Sequence, residues 1–268
     1  MRPQTDPARD RLPFTGERLH ADEALFGVDL LRHRAAYQHA LAVARSEGAR
    51  TILELGSGTG YGATELAASG VRVVAVDRVA PLASARAGAA RFVRADLGAM
   101  PFVGGRFDLA VSFQVVEHLA DPAPFVAALA DALRPGGVAL VSTPNRLQSD
   151  GENPFHVHEY RADELERLLA ARFGSVEMLG VGVRGEALRY HEDRLRRIRR
   201  IVRLDPLRLR RRIPRSLVEW LFARFAILVR RGLAADARLP QISLADFPIG
   251  PVDPGSLDLL AVCRDPLP

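Results

Sequence analysis

Within residues 52–62, ILELGSGTGYG, a carboxylate and three alternate glycines fall together: Glu54, Gly56, Gly58 and Gly60. An apolar run that drops into such a turn lets main chain approach a ligand closely, and two ligands compete for it. Read from Gly58 through Ala63, the stretch fits the G-x-G-x-x-A form of a dinucleotide site. Read from Glu54, with Ser57 between the glycines, it fits a loop that holds S-adenosylmethionine. Both cofactors want a later acid for the ribose, and Asp77 supplies it 17 residues past Gly60. Two further acids discriminate. Glu54 lies at the mouth of the loop, where a dinucleotide would put its pyrophosphate; charges that close repel, at a cost of about a few kcal/mol. S-adenosylmethionine carries a sulfonium and an ammonium there instead. Asp96, in RADLGAMPF, is placed to accept a hydrogen bond from an adenine amino group. The methyl donor is the expected ligand.

Methyl transfer is an in-line displacement at a carbon already activated by the sulfonium. The protein has to position the acceptor and, for a hydroxyl, help remove its proton. Residues suited to this fall in two stretches, Gln114, Glu117 and His118 in QVVEHL and His156, His158 and Glu159 in NPFHVHEY. A histidine near its ordinary pKa of about 6.5 serves as a base at neutral pH. Arg34 and Tyr37, upstream, are candidates to reach the carboxylate of the donor.

The elements that would position these residues alternate regularly. Apolar residues recur at helical spacing over 29–44. Buried strands are expected at 51–56, 71–77, 90–96, 107–113, 136–144, 175–183 and 256–264, and helices at 61–69, 122–133 and 161–173. Valine- and leucine-rich strands separated by helices indicate a doubly wound, mostly parallel Rossmann-like α/β sheet covered on both faces. All 37 basic residues are arginine, which excludes a catalytic lysine, a Schiff base and a P-loop lysine. The single cysteine, Cys263, rules out an internal disulfide and reads as a small buried hydrophobe. No apolar run reaches the roughly 20 residues of a membrane span, so the cytoplasm is the expected compartment.

The ordered stretches ILELGSGTG, VVAVD, RADLGAMPF, FDLAVSFQVVEHLADP and LRPGGVALVSTPN resemble the motifs of class I S-adenosylmethionine-dependent methyltransferases. The resemblance covers about 50–183 and 256–264. It implies seven strands, the last antiparallel and inserted beside the sixth. It places donor contacts on Glu54, Gly56, Ser57, Gly58, Gly60, Asp77, Arg78, Asp96, Leu97 and Gln114. VVEHL followed by a histidine beyond TPN is similar to ubiquinone-biosynthesis O-methyltransferases and small-RNA 2′-O-methyltransferases. There, a Glu-x-x-Glu-His cluster and a later histidine hold a divalent metal. By that resemblance Glu117, His118 and His158 are ligands, although Gln114 stands where the pattern has its first glutamate. Three roles therefore compete for these residues: metal ligand, metal-free base and structural bridge.

Four segments follow: an N-terminal segment and helix at 1–48 capping the site, the donor-binding core at 49–183, an arginine-rich helical insertion at 184–255, and a final strand within 256–268. Residues 184–215 hold 13 arginines and four acids, so the excess positive charge belongs to the insertion. The insertion leaves and re-enters the sheet at its cofactor face, as an acceptor lid would. Its stretch 194–232 sets arginines beside apolar residues and has three readings: a helix packed on the core, contact with an anionic membrane surface or lipid-linked substrate, or RNA binding. No interleaved aromatics accompany the arginines, which disfavours nucleic acid. FTGERLHADEALFG…RHRAAY is similar to a lead-in of methyltransferases associated with cell-surface polysaccharide, pointing to O-methylation of a glycan, glycolipid or small-metabolite hydroxyl. An RNA methyltransferase and a non-catalytic donor-binding module are the alternatives.

Overall fold

A computed structural model describes residues 27–97, 104–149, 153–202 and 239–268. Its order is α1 (Gly27–Ser46), β1 (Thr51–Leu55), α2 (Tyr61–Ala67), β2 (Arg72–Asp77), α3 (Ala83–Arg86), β3 (Arg91–Arg94), β4 (Phe107–Phe113), α4 (Ala123–Ala132), β5 (Leu133–Pro144), α5 (Ala162–Ala170), β6 (Phe173–Val181), α6 (Gly185–Val202), β7 (Ile249–Pro251) and β8 (Asp258–Pro266). The strands form one sheet in the order β3-β2-β1-β4-β5-β8-β6-β7. From β3 to β5 every pairing is parallel, and β8 runs antiparallel between β5 and β6.

Alternation along the central strands explains their unbroken apolar sequence. Leu53, Leu55, Ala110, Ala139, Val141, Leu259 and Ala261 face α4 and α5, meeting Phe125, Leu129, Leu165 and Leu169. Ile52, Leu109, Val111, Leu140 and Leu260 face the other way, onto Ala36, Ala40, Leu41 and Ala44 of α1 and Ala63 and Leu66 of α2. Both faces are dry, so neither could be polar. Cys263 lies in this core, its thiol pushed up to about 12 by burial.

The antiparallel last strand enters beside the ends of β5 and β6: Asp258 stands opposite both Pro144 and Val181. The insertion therefore departs and returns at the C-terminal edge of the sheet, as the topology expected. Two details differ from the sequence reading. The sheet has eight strands rather than seven, because Ile249–Pro251, inside the supposedly helical insertion, adds to the free edge of Leu179–Val181. A four-residue helix, α3, was too short to show a period. α6 is the helix that opens the arginine-rich insertion. Residues 203–238 of the insertion, which hold most of its 194–232 stretch, and the N-terminal lead-in before residue 27 lie outside the described residues.

Candidate active site

The donor side is built where β1 gives way to α2. Gly56 and Ser57 donate their amides to the Val76 carbonyl at 2.8 and 3.1 Å, which folds the loop back over β2. Gly56 (φ 85°), Gly58 (φ 53°) and Gly60 (φ 88°) all take left-handed backbone. The reasons differ. A Cβ at Gly56 would stand 2.2 Å from Val115 Cγ2, whereas a Cβ at Gly58 meets nothing within 4 Å. Gly56 is closed by packing, and Gly58 borders open space. Asp77, ending β2, accepts the Gly58 amide at 2.8 Å and the Val79 amide at 3.0 Å, so the acid shapes the glycine loop. Arg94 Nε donates to the Arg78 carbonyl, tying the ends of β2 and β3; Arg78 and Asp96 are exposed there, and Leu97 packs partly on the core.

Glu54 lies beneath the loop rather than in its mouth. It is 1 % exposed, and Tyr37 Oη donates to its Oε1 at 2.5 Å. Its Oε2 is buried without a protein partner. Burial pushes its carboxyl up to about 7, against the opposing pull of the Tyr37 hydrogen bond. Tyr37 also fills the space above Gly62, where a Cβ would meet its ring at 2.1 Å. Arg34 pairs with Glu65 of α2. Both α1 candidates for the donor carboxylate thus already hold the floor of the loop.

The acceptor side begins where β4 ends. Gln114 is one of two non-glycine residues with positive φ among those described (58°), and its amide donates to the Ser142 carbonyl. This corner turns the chain into a 3-10 turn, Val116–His118. Glu117 is fully buried; Thr143 Oγ1 donates to its Oε2 at 3.0 Å, and its Oε1 has no partner. Burial pushes the Glu117 carboxyl up to about 7, with His118 and the Thr143 hydrogen bond opposing. His118 Nδ1 bonds the Phe155 carbonyl at 3.0 Å, which leaves Nε2 as its lone-pair end.

The structure gathers His156, not His158, with Glu117 and His118. These three each offer a ligand atom, all within 4.8 Å of one another. The amides of Val157 and His158 both donate to the Glu117 carbonyl, at 2.8 and 3.2 Å. That docking turns the His158 side chain outward, where it is 53 % exposed, 3.6 Å from Glu164 and edge-on to Tyr160. His156 instead bonds Glu159 through Nδ1 (2.9 Å) and Asn153 through Nε2 (2.8 Å). Glu159 is held below the usual carboxylate range: burial pushes it up, and His156, Ser149 and Arg146 more than offset that.

Residues 29–174 match the model of a methyltransferase domain family. A Mycolicibacterium smegmatis protein named "Probable S-adenosylmethionine-dependent methyltransferase" is 42% identical over 182 residues, 63% of this chain and 68% of its own length. A Mycobacterium tuberculosis protein of the same description is 40% identical over 195 residues, 69% of this chain and 67% of its own. This chain belongs to the class I S-adenosylmethionine-dependent methyltransferases. Among solved structures, a Thermotoga maritima S-adenosylmethionine-dependent methyltransferase shares the fold (TM-score 0.54, 14% identity), covering 90% of this chain and 98% of that one.

In this methyltransferase the glycine loop fits its donor on three counts. Open space lies at Gly58, Asp77 already orders the loop, and an unpartnered buried oxygen of Glu54 lies below it. Two donors are open to a divalent cation, the unpartnered Glu117 Oε1 and His118 Nε2, whereas His156 would have to release Asn153 to join them. One acceptor-side residue went unread in the sequence. Asp258 is 2 % exposed, lies 3.2 Å from Arg32 Nε and accepts a hydrogen bond from the Gln114 side chain. The signal for it was a lone acid inside the apolar run SLDLLAVC.

No helix among the described residues is long and apolar enough to cross a membrane.

Proposed function

We propose that this methyltransferase acts on a hydroxyl, of a glycan, glycolipid or small metabolite. The observation that carries the reading is the buried, half-satisfied Glu117 beside the oriented His118. A hydroxyl that attacks a sulfonium methyl gives up its proton as the C–O bond forms and the thioether leaves, and the neutral thioether is too weak a base to take it, so a protein group must. Glu117, with a carboxyl near neutrality, and the Nε2 face of His118 provide one at the strand end where the acceptor would sit. S-adenosylmethionine, when bound, supplies a methyl group made electrophilic by the sulfonium. The chain's own residues order the loop (Asp77, Gly58), hold the floor beneath it (Glu54, Tyr37) and take the proton. A divalent ion on Glu117, His118 and His156, if loaded, supplies an electrostatic clamp for the hydroxyl oxygen. A ubiquinone biosynthesis O-methyltransferase from Chelativorans, 35% identical over 148 residues, 47% of this chain and 58% of its own length, supports the same class.

In this reading the arginines of the insertion at 184–255 favour an anionic or membrane-associated glycolipid at the cytoplasmic face. The test is transfer of labelled methyl from S-adenosylmethionine into an extract of the source cells, separated into lipid, polysaccharide, RNase-sensitive and small polar pools, with and without chelator. Label in RNase-resistant lipid, polysaccharide or small polar pools is expected. RNase-sensitive label overturns the acceptor class, and donor binding with no labelled product overturns catalysis. Loss of transfer with chelator would assign the metal.

A further inference from the structure

α1 runs against the direction of β1. Its last turns, Ala40 to Ala44, pack beside Ile52 and Leu109, while its first turns stand at the C-terminal edge of the sheet. There it touches two things at once. On one side Arg34 and Tyr37 hold Glu65 and Glu54, under and behind the donor loop. On the other, Arg32 lies 3.2 Å from Asp258, where the insertion returns to the sheet, and Asp29 accepts Arg194 of α6 at 2.9 Å, where the insertion leaves it.

Both ion pairs are largely withdrawn from water, with side-chain exposures of 20 and 3 % for Arg32 and Asp258 and 30 and 12 % for Arg194 and Asp29. His191 joins them on α6; burial, then Arg194 and Arg32, push it down to about 4, so it is neutral. Two cations thus face two anions, within an apolar collar of Ala35, Ala187, Tyr190, Phe247 and Leu257. The cavity left among them is about 10 Å³, room for one water. This is a junction between helices, too small for a ligand.

We propose that α1 and α6 form one latched support behind the donor loop, and that the Asp29–Arg194 and Arg32–Asp258 pairs, by holding that support in place, set the residence time of the spent donor. α1 cannot lift from the glycine loop without breaking both pairs. The inference rests on the glycine loop being the donor site.

The test is a chase of tritiated S-adenosylhomocysteine from the full-length protein. Asp29→Asn and Arg194→Ala are each expected to speed release by about fivefold or more, with the association rate changed by less than about twofold. The charge swap Asp29→Arg with Arg194→Asp restores slow release. Arg189→Ala, whose partner Glu186 is on α6 itself, leaves it unchanged. Wild-type release rates in the single variants, or no rescue in the swap, overturn the latch while the donor site stands. Failure of wild-type protein to bind the probe overturns the donor reading and the latch with it. Should the variants not fold, hydrogen exchange on wild-type protein decides. The latch requires α6 amides to gain protection when S-adenosylhomocysteine binds, and unchanged exchange overturns it.

Discussion

Glu117 and Glu54 are buried carboxylates that differ in their hydrogen-bond partners. Each has one oxygen bonded to a hydroxyl and one left over, and burial pushes both up to about 7. If Glu117 takes the acceptor's proton, the transfer rate falls as pH drops below about 7, where the carboxyl is already protonated. Glu117→Gln then lowers the rate by about a hundredfold and removes that acid limb, read from a pH–rate profile. Glu54 has a different consequence. Its folded pKa lies above the ordinary 4.5, so between 4.5 and about 7 the folded chain holds a proton that the unfolded chain releases. Its contribution to stability is full below 4.5 and is lost as pH rises toward 7. Glu54→Gln keeps an acceptor for Tyr37 and loses this dependence. Urea titrations at pH 5 and pH 7.5 should show the variant gaining on wild type at the higher pH. The spacing of Glu54 and the glycines was readable from composition and order alone. That Glu54 lies under the loop and bonds Tyr37 was not, because the contact joins residues of two elements that meet only on folding.

At the scale of elements, the glycine loop separates packing from binding. Gly56→Ala drives a Cβ into Val115 and pushes on the turn that carries Glu117, so stability falls by about 2–3 kcal/mol or more. Gly58→Ala has open space and costs about 1–2 kcal/mol for its left-handed backbone. Its methyl nevertheless enters the donor's space, and affinity drops by about tenfold or more, as calorimetry would show. The opposite edge of the sheet supplies the control. Asp108 accepts from the amides of Arg50 and Thr51 and pairs with Arg134. Although burial pushes its carboxyl up, these partners hold it well below the usual range. Asp108→Ala destabilises by about 2–3 kcal/mol with donor affinity unchanged. Strand and helix periods placed nearly every long element within a few residues. They failed for α3 and β7, of four and three residues, since a segment shorter than a turn or two pleats has no period to read. They also could not choose between His156 and His158, because that choice rests on which backbone amides dock against Glu117.

For the whole molecule, the deciding feature is that the last strand is central. β8 pairs β5 on one side and β6 on the other and carries Leu259, Leu260 and Ala261 into both faces of the core. Removing residues 256–268 exposes two strand edges at once, and the truncated chain is expected to aggregate rather than lose a few kcal/mol; gel filtration would show it. Donor binding acts in the other direction. S-adenosylmethionine at about 100 times its dissociation constant adds about 2.7 kcal/mol, a rise in Tm of several degrees that a Gly58→Ala protein should lose at the same donor concentration.

The order of apolar runs, the three glycines and the acids at 54, 77 and 96 determined the fold class and the donor, since strand order and loop chemistry are local properties of a chain. The tertiary structure alone decided which groups meet across it. Asp258 reaches Gln114 and Arg32 because β8 re-enters beside β5, His156 turns inward because its neighbours dock on Glu117, and α1 meets α6 because both ends of the insertion emerge at one edge of the sheet. Such contacts join residues up to 226 positions apart, as Arg32 and Asp258 are, and no spacing in the sequence encodes them.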